Sequence, residues 1–293
     1  MTASTPPAPG TPALAAPSSR RPSRGSPWLL YLLVAVVSVC TAFPFVWMLL
    51  SSLKPLSEIF GQGFWPQHPS FDNFRRLFSE TPALRALLNS FFIAALSTLG
   101  SLLFCTLGGY GFAKFQFPGR NALFSVMLVS MTIPFVVGLI PTFILMRNAF
   151  HWIDTPWPLI VPGLANAFGV FFMRQYLSTL PDELLDAGRM DGASEPTIFF
   201  RVVLPVVTPA LASLGIIFFM ASWNNYLWPS IVLRDPQAQT LPVLIASLQG
   251  SAGRTPYDVM MAGAVVSVIP MILVFLALQR HFYSGITAGA VKG

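Results

Sequence analysis

Charge is what this sequence has least of. Asp, Glu, Lys and Arg together make up 10% of 293 residues, while 54% are hydrophobic. That leaves too few ionic groups to cover a soluble globule of this length. With a mean hydropathy of +0.65, it predicts a chain solvated by lipid. Cysteine is nearly absent. Cys40 and Cys105 stand in separate apolar runs without a CxxC, which argues against a disulfide framework or thiolate metal site and predicts two small buried hydrophobes. His68, His151 and His281 fall far apart and predict no shared metal or catalytic centre. Nucleotide chemistry lacks its parts too. Lys114 follows GGYGFA, but a phosphate loop needs Gly before the Lys and Ser or Thr after it, and here the neighbours are Ala113 and Phe115. HExxH, GxSxG and a strand-to-helix GxGxxG are also missing, so neither an enzymatic reaction nor a bound cofactor is expected of this chain.

What the chain has instead is apolar length. A hydrocarbon core of roughly 30 Å needs about 20 apolar residues in a helix, and six windows supply them: 28–53, 86–112, 122–146, 157–173, 208–233 and 259–279. The predicted fold is an all-α integral membrane protein of six transmembrane helices, occupying 28–293. None of the windows holds Asp, Glu, Lys or Arg, which argues against a proton relay, an ion-coupled site or a voltage sensor. Residues 1–27, rich in Pro, Ala, Ser and Thr, are expected to be disordered, and the late, long apolar run after them does not read as a cleaved signal peptide. Arg20, Arg21 and Arg24 before the first window place the N-terminus in the cytoplasm, and six spans return the C-terminus there. That topology puts ten of the 17 Lys and Arg inside and seven outside, the right sign for the positive-inside rule. The net charge of +6 is scattered over loops and suits anionic headgroups, with no nucleic-acid partner implied.

One segment breaks the pattern. PDELLDAGRMDGASE carries five of the eleven carboxylates, Asp182, Glu183, Asp186, Asp191 and Glu195, between two apolar runs. Pro181 suits a first helical turn, with Asp182 and Glu183 beside it at the positive end of the dipole. Leu184, Leu185, Ala187 and Met190 continue at near-helical spacing, and Gly192 can adopt the left-handed conformation that ends a helix. Ser194 is the expected N-cap of a second short helix carrying Ile198, Phe199, Phe200, Val202 and Val203, ending at Leu204-Pro205. Two uses fit such a hairpin, resting on lipid or docking a protein. Interfacial helices usually carry Lys and Arg on the polar face, and this acidic first helix favours a protein partner.

The stretch PDELLDAGRMDGASEPTIFFRVVLPVVTPAL resembles the EAA loop of permease subunits in binding-protein-dependent ABC importers. Asp191, Gly192, Ala193 and Pro205 stand where that pattern has Asp, Gly, Ala and Pro. Asp186 replaces its Glu with a shorter carboxylate, and Gly188 replaces its second Ala at about 1 kcal/mol of helix propensity. GYGFAKFQFPGR, WNNYLWP and QRHFYSGITAGAVKG are similar to the maltose-type sugar permeases, so the likeness runs from about residue 28 onward. It implies a type I ABC importer permease fold in a bacterial-type inner membrane. A loop at about 178–205 would dock on a separate ATPase dimer that carries ATP and Mg. A second permease subunit and an extracytoplasmic solute-binding protein are the other implied partners, and a sugar or oligosaccharide is the cargo. Coupling contacts are then expected at Asp186, Ala187, Gly188, Met190, Asp191, Gly192, Ala193 and Phe199, with Ala288 to Gly293 as a second contact.

A substrate path is expected in SWNNYLWPS. Trp223, Asn224, Asn225 and Tyr226 set neutral amides among aromatic faces, which suits a sugar, and Asn166 in the fourth window is a further candidate. Trp and Tyr equally suit the interfacial belt, and Asn equally bonds between helices. Another cargo, such as glycerol phosphate or a peptide, stays open, as does a membrane scaffold that recruits partners through the acidic loop.

Overall fold

The computed structural model describes residues 27–250 and 255–290. The disordered start expected at 1–27 lies outside them except for Pro27. Every regular element among the described residues is helical. Residues up to Val46 and residues from Trp47 onward form two separate units. The first contains most of α1 (Pro27–Ser52), whose side chains from Trp28 to Val46 are exposed, as an apolar helix meeting only lipid would be.

In the second unit, α2 (Asp72–Glu80) leads into α3 (Ala83–Lys114), a helix of 32 residues and therefore about 48 Å long. Then come α4 (Arg120–Ser130), α5 (Phe135–Asn148), α6 (Ala167–Leu177), α7 (Glu183–Met190), α8 (Glu195–Ile198), α9 (Thr208–Trp223), α10 (Leu227–Val232), α11 (Leu241–Ser247) and α12 (Tyr257–Ala290). α3 is the central post, packed on α6 and α9. Small residues let it close on α6: a Cβ at Gly109 would lie 2.7 Å from Met173 Cβ and 2.8 Å from the Arg174 nitrogen. Such small-residue crossings are how helices gain dispersion contact where lipid removes the hydrophobic drive.

Segments far apart in sequence meet one another. At the start of α3, Asn89 Nδ2 donates to the carbonyls of Gln237 (3.0 Å) and Gln239 (3.1 Å). Asp154 Oδ1 accepts from the backbone N–H groups of Arg234 and Asp235, and Arg76 pairs with the buried Asp258 at 2.8 Å. At the far end of α3, Lys114 reaches the segment after α6.

Among the described residues, three helical stretches are long and apolar enough to cross a membrane, Trp28–Ser52, Ala83–Lys114 and Tyr257–Ala277. The other windows are broken rather than continuous. The third is α4 plus α5, bent by 97° where Ser130 and Thr132 turn their hydroxyls back onto Met127 and Val129 carbonyls and Pro134 supplies no N–H. In the fourth, a short turn at Trp157–Ile160 and a 3₁₀ turn at Val161–Gly163 precede α6, whose 11 residues are too few to span alone. The fifth ends its long helix at Trp223 and resumes as α10.

Candidate functional site

The acidic segment folds as two helices about a turn at Gly192. α7 begins after Asp182, so Pro181 lies just before the N-cap rather than in the first turn. It ends with Gly192 at φ +75°, where the Gly192 N–H donates to Arg189 O and the Ala193 N–H to Gly188 O, each 3.0 Å. These are the two bonds of a Schellman end, which satisfy carbonyls the helix would leave bare. Gly188 lies under Ile198, whose Cγ1 would be 3.2 Å from an added Cβ, so α8 closes against α7 more easily than it would over Ala.

Ser194 stands at the N-cap position, but its hydroxyl meets Thr197 Oγ1 (2.9 Å) and caps no backbone N–H. The second helix also runs past Leu204-Pro205. It passes through a π turn at Phe199–Val203, reaches Val206 and bends by 78° into α9. Pro205 and Pro209 each remove an i→i−4 donor, which accounts for the loosened turn and the bend.

Leu185, Ile198, Phe199 and Val203 bury themselves against Tyr110, Met173 and Leu177. Phe199 is therefore not a surface residue: it is 2% exposed, with its ring 5.6 Å from Tyr110. The π turn adds a residue to the spacing and turns Phe200 outward instead, at 54% exposure. Asp186, Ala187, Met190, Asp191 and Gly192 are all exposed, and Ala193 is half-buried. Met190 is 88% exposed, an unusual position for a long apolar side chain beside carboxylates.

Polar links that were not foreseen in the sequence hold this unit. Arg189 Nε donates to Glu195 Oε1 (2.8 Å), and its Nη1 donates to Asp186 Oδ1 (2.9 Å). Tyr110 Oη donates to Glu195 Oε2 (3.1 Å). Lys114 Nζ donates to Leu180 O and to Asp182 Oδ1, both 2.6 Å. Arg189 holds the Glu195 carboxyl below its ordinary pKa, and Lys114 does the same for Asp182. Glu195 and Asp186 in turn push the Arg189 pKa upward. Lys114, dismissed above as a phosphate-loop lysine, was legible only once its partners 66 and 68 residues on were known.

The five path residues separate. Asn224 and Tyr226 line a groove of about 590 Å³ with Gln249, Ser267, Met48, Met260 and Met271. Trp223 is 1% exposed, stacked on Phe219 and donating from Nε1 to Ser267 O at 3.0 Å, so it is a packing residue. Asn166 caps α6, its Oδ1 accepting from the Gly169 N–H at 3.1 Å. Asn225 does not line the groove. No group of three or more His, Cys, Asp or Glu among the described residues could hold a metal ion. Ala288–Ala290 continue α12, while residues 291–293 lie outside the described residues.

Residues 105–288 match the family described as binding-protein-dependent transport system inner membrane component. The arabinooligosaccharides transport system permease protein AraQ of Bacillus subtilis is 39% identical over 269 residues, 90% of this chain and 95% of that protein. The lactose transport system permease protein LacG of Rhizobium radiobacter is 35% identical over 262 residues, 89% of this chain and 95% of that one. A crystal structure of a bacterial ABC transporter involved in the import of the acidic polysaccharide alginate superposes with a TM-score of 0.77 at 24% identity, over 87% of this chain and 96% of that one. With a family match over more than half its length and relatives matched nearly end to end, the chain belongs to the binding-protein-dependent transport system inner membrane components.

Proposed function

We propose that this protein is the permease subunit of an ABC importer for a sugar or oligosaccharide. It forms half of the path and takes its driving force from a separate ATPase dimer, where ATP and Mg bind. The observation that carries this reading is the acidic hairpin. Its inner side is packed and hydrogen-bonded onto α3, while Met190, Phe200, Asp186 and Asp191 stand exposed. A rigid projection with apolar knobs and an acidic rim suits a protein cleft better than anionic lipid. Asp186, Ala187, Met190, Asp191, Ala193 and Phe200 form its contact face, and Gly188 and Gly192 set its shape.

Six crossings fit the chain when α4–α5, Trp157–Leu177 and α9–α10 are each taken as one broken span. Both termini then lie in the cytoplasm, and a second permease and an extracytoplasmic binding protein complete the assembly. Sugar cargo is supported by the arabinooligosaccharide and lactose transport for which the two relatives above are named and by the groove. Asn224, Gln249, Tyr226 and Ser267 offer neutral donors and acceptors, the methionines adaptable apolar contact, and none of the lining residues is charged. A phosphorylated cargo would call for Lys or Arg there.

Reconstitution of the chain with its ATPase, second permease and binding protein in liposomes tests the proposal. ATP-dependent accumulation of a neutral oligosaccharide, with no uptake of glycerol phosphate or peptide, is the expected result. Uptake of one of the other solutes alone would overturn the cargo. No ATP-dependent uptake of any solute by an intact assembly would overturn the importer reading and revive the scaffold.

A further inference from the structure

Lys114 and Tyr110 stand four residues apart at the end of α3 and so share one face of that helix. The Lys114 side chain is 5% exposed although charged, and Tyr110 is 5% exposed. Burying an ammonium is costly unless its donors are used. Two of the three N–H bonds of Lys114 go to Leu180 O and Asp182 Oδ1, both at the entrance to α7. Tyr110 Oη reaches Glu195, the first residue of α8, and Glu195 returns through Arg189 to Asp186. The same face of α3 therefore grips the hairpin twice, once before α7 and once after the Gly192 turn.

We infer that Tyr110 and Lys114 are positioning residues that make the acidic hairpin move as one body with α3, and that without them ATP hydrolysis uncouples from solute movement. The inference rests on the importer reading above. A hairpin held at one point can pivot under load; one held on both sides of its turn transmits rotation as well as displacement. The apolar contacts of Leu185, Ile198 and Phe199 are non-directional and resist sliding weakly, whereas the hydrogen bonds fix register. α3 also carries Asn89, whose contacts lie at the opposite end of the helix, so a displacement at Lys114 has a continuous helical route to the other face.

The test uses the assembled importer in liposomes and reads solute moved per ATP hydrolysed for Tyr110→Phe, Lys114→Met and the pair. Tyr110→Phe keeps the ring that packs on Phe199 and removes only the hydroxyl. The pair, which removes three hydrogen bonds, should lower solute per ATP by at least about tenfold, the factor for losing a single one to a charged group, while ATP hydrolysis stays within about twofold. In a Glu195→Ala background Tyr110→Phe should add nothing further, because its partner is already gone. An unchanged ratio would overturn the inference. So would a loss of transport and hydrolysis in proportion to the amount of assembled complex, since that marks a structural role alone. Failure of the unaltered chain to move any solute would sink the importer reading, and this inference with it.

Discussion

At the scale of single residues, burial separates those that hold the hairpin from those that present it. Phe199 and Phe200 are neighbours with opposite duties. Phe199→Ala should cost about 3–5 kcal/mol, as emptying a buried aromatic site does. Met190→Ala should change stability by no more than about 0.5 kcal/mol yet weaken the bound ATPase. Thermal unfolding in detergent and ATPase co-purification, run on both variants, separate the two effects. Gly192 is held by conformation alone: no atom lies within 4 Å of a Cβ built there, but φ is +75°. Gly192→Val should therefore strain the turn by about 1–2 kcal/mol, and Gly192→Asn by less, with coupled ATP hydrolysis falling in the same order. The role of Gly192 was legible from DGA, because few residues besides glycine reverse a helix end. The burial of Phe199 was not, because a 3.6-residue wheel fails across a π turn. Asn166 misled for a different reason. An amide in an apolar window reads as a ligand until its partner, Gly169 three residues on, is noticed as the N–H it caps.

Elements show where composition succeeds and geometry escapes it. The six apolar windows follow from length and the absence of charge, and α1, α3 and α12 realise three of them as single helices. The others break at Pro134, at Pro158 through Gly163 and at Asn224, and the chain bends at Val207, between two prolines, just before the fifth begins. Proline is apolar enough to leave a hydropathy window intact while removing the donor that a continuous helix needs. The α3–α6 crossing can be tested at Gly109. Gly109→Leu drives a side chain into Met173 and the Arg174 backbone, and overpacking of this kind costs about 1–3 kcal/mol or more, read as a lower unfolding temperature in detergent. The links of the hairpin set its pH response. Asp182 and Glu195 have folded pKa values below their ordinary ones because Lys114 and Arg189 favour the carboxylates. Their contribution is therefore complete above the unfolded carboxylate pKa, about 4, and is lost as the pH falls through the lower folded values. Hydrogen-exchange protection of the Gly192 and Ala193 amides, corrected for intrinsic rate, should be flat from about pH 6 to 8 and fall only below about pH 4. A fall near neutrality would mean that another group holds the turn.

For the whole molecule, the chain is a conduit with a handle. Its apolar windows lack the charges that would harvest an ion gradient, and no phosphate loop is present to use ATP directly. In the proposed function the acidic hairpin is the place where an external motor acts. Family membership could be read from the sequence because the hairpin and the blocks around it are compact local motifs. The grip of α3 on the hairpin could not, because its bonds join residues 66 to 85 apart. The claim that most needs testing is that this hairpin docks the ATPase. A cysteine in place of Met190, carrying a short photoactivatable crosslinker in the intact importer, addresses it directly. The account predicts a crosslink to the ATPase subunit whose yield changes when a non-hydrolysable ATP analogue is bound. Crosslinking to lipid or to the second permease alone, in an assembly that still hydrolyses ATP and moves solute, would contradict it.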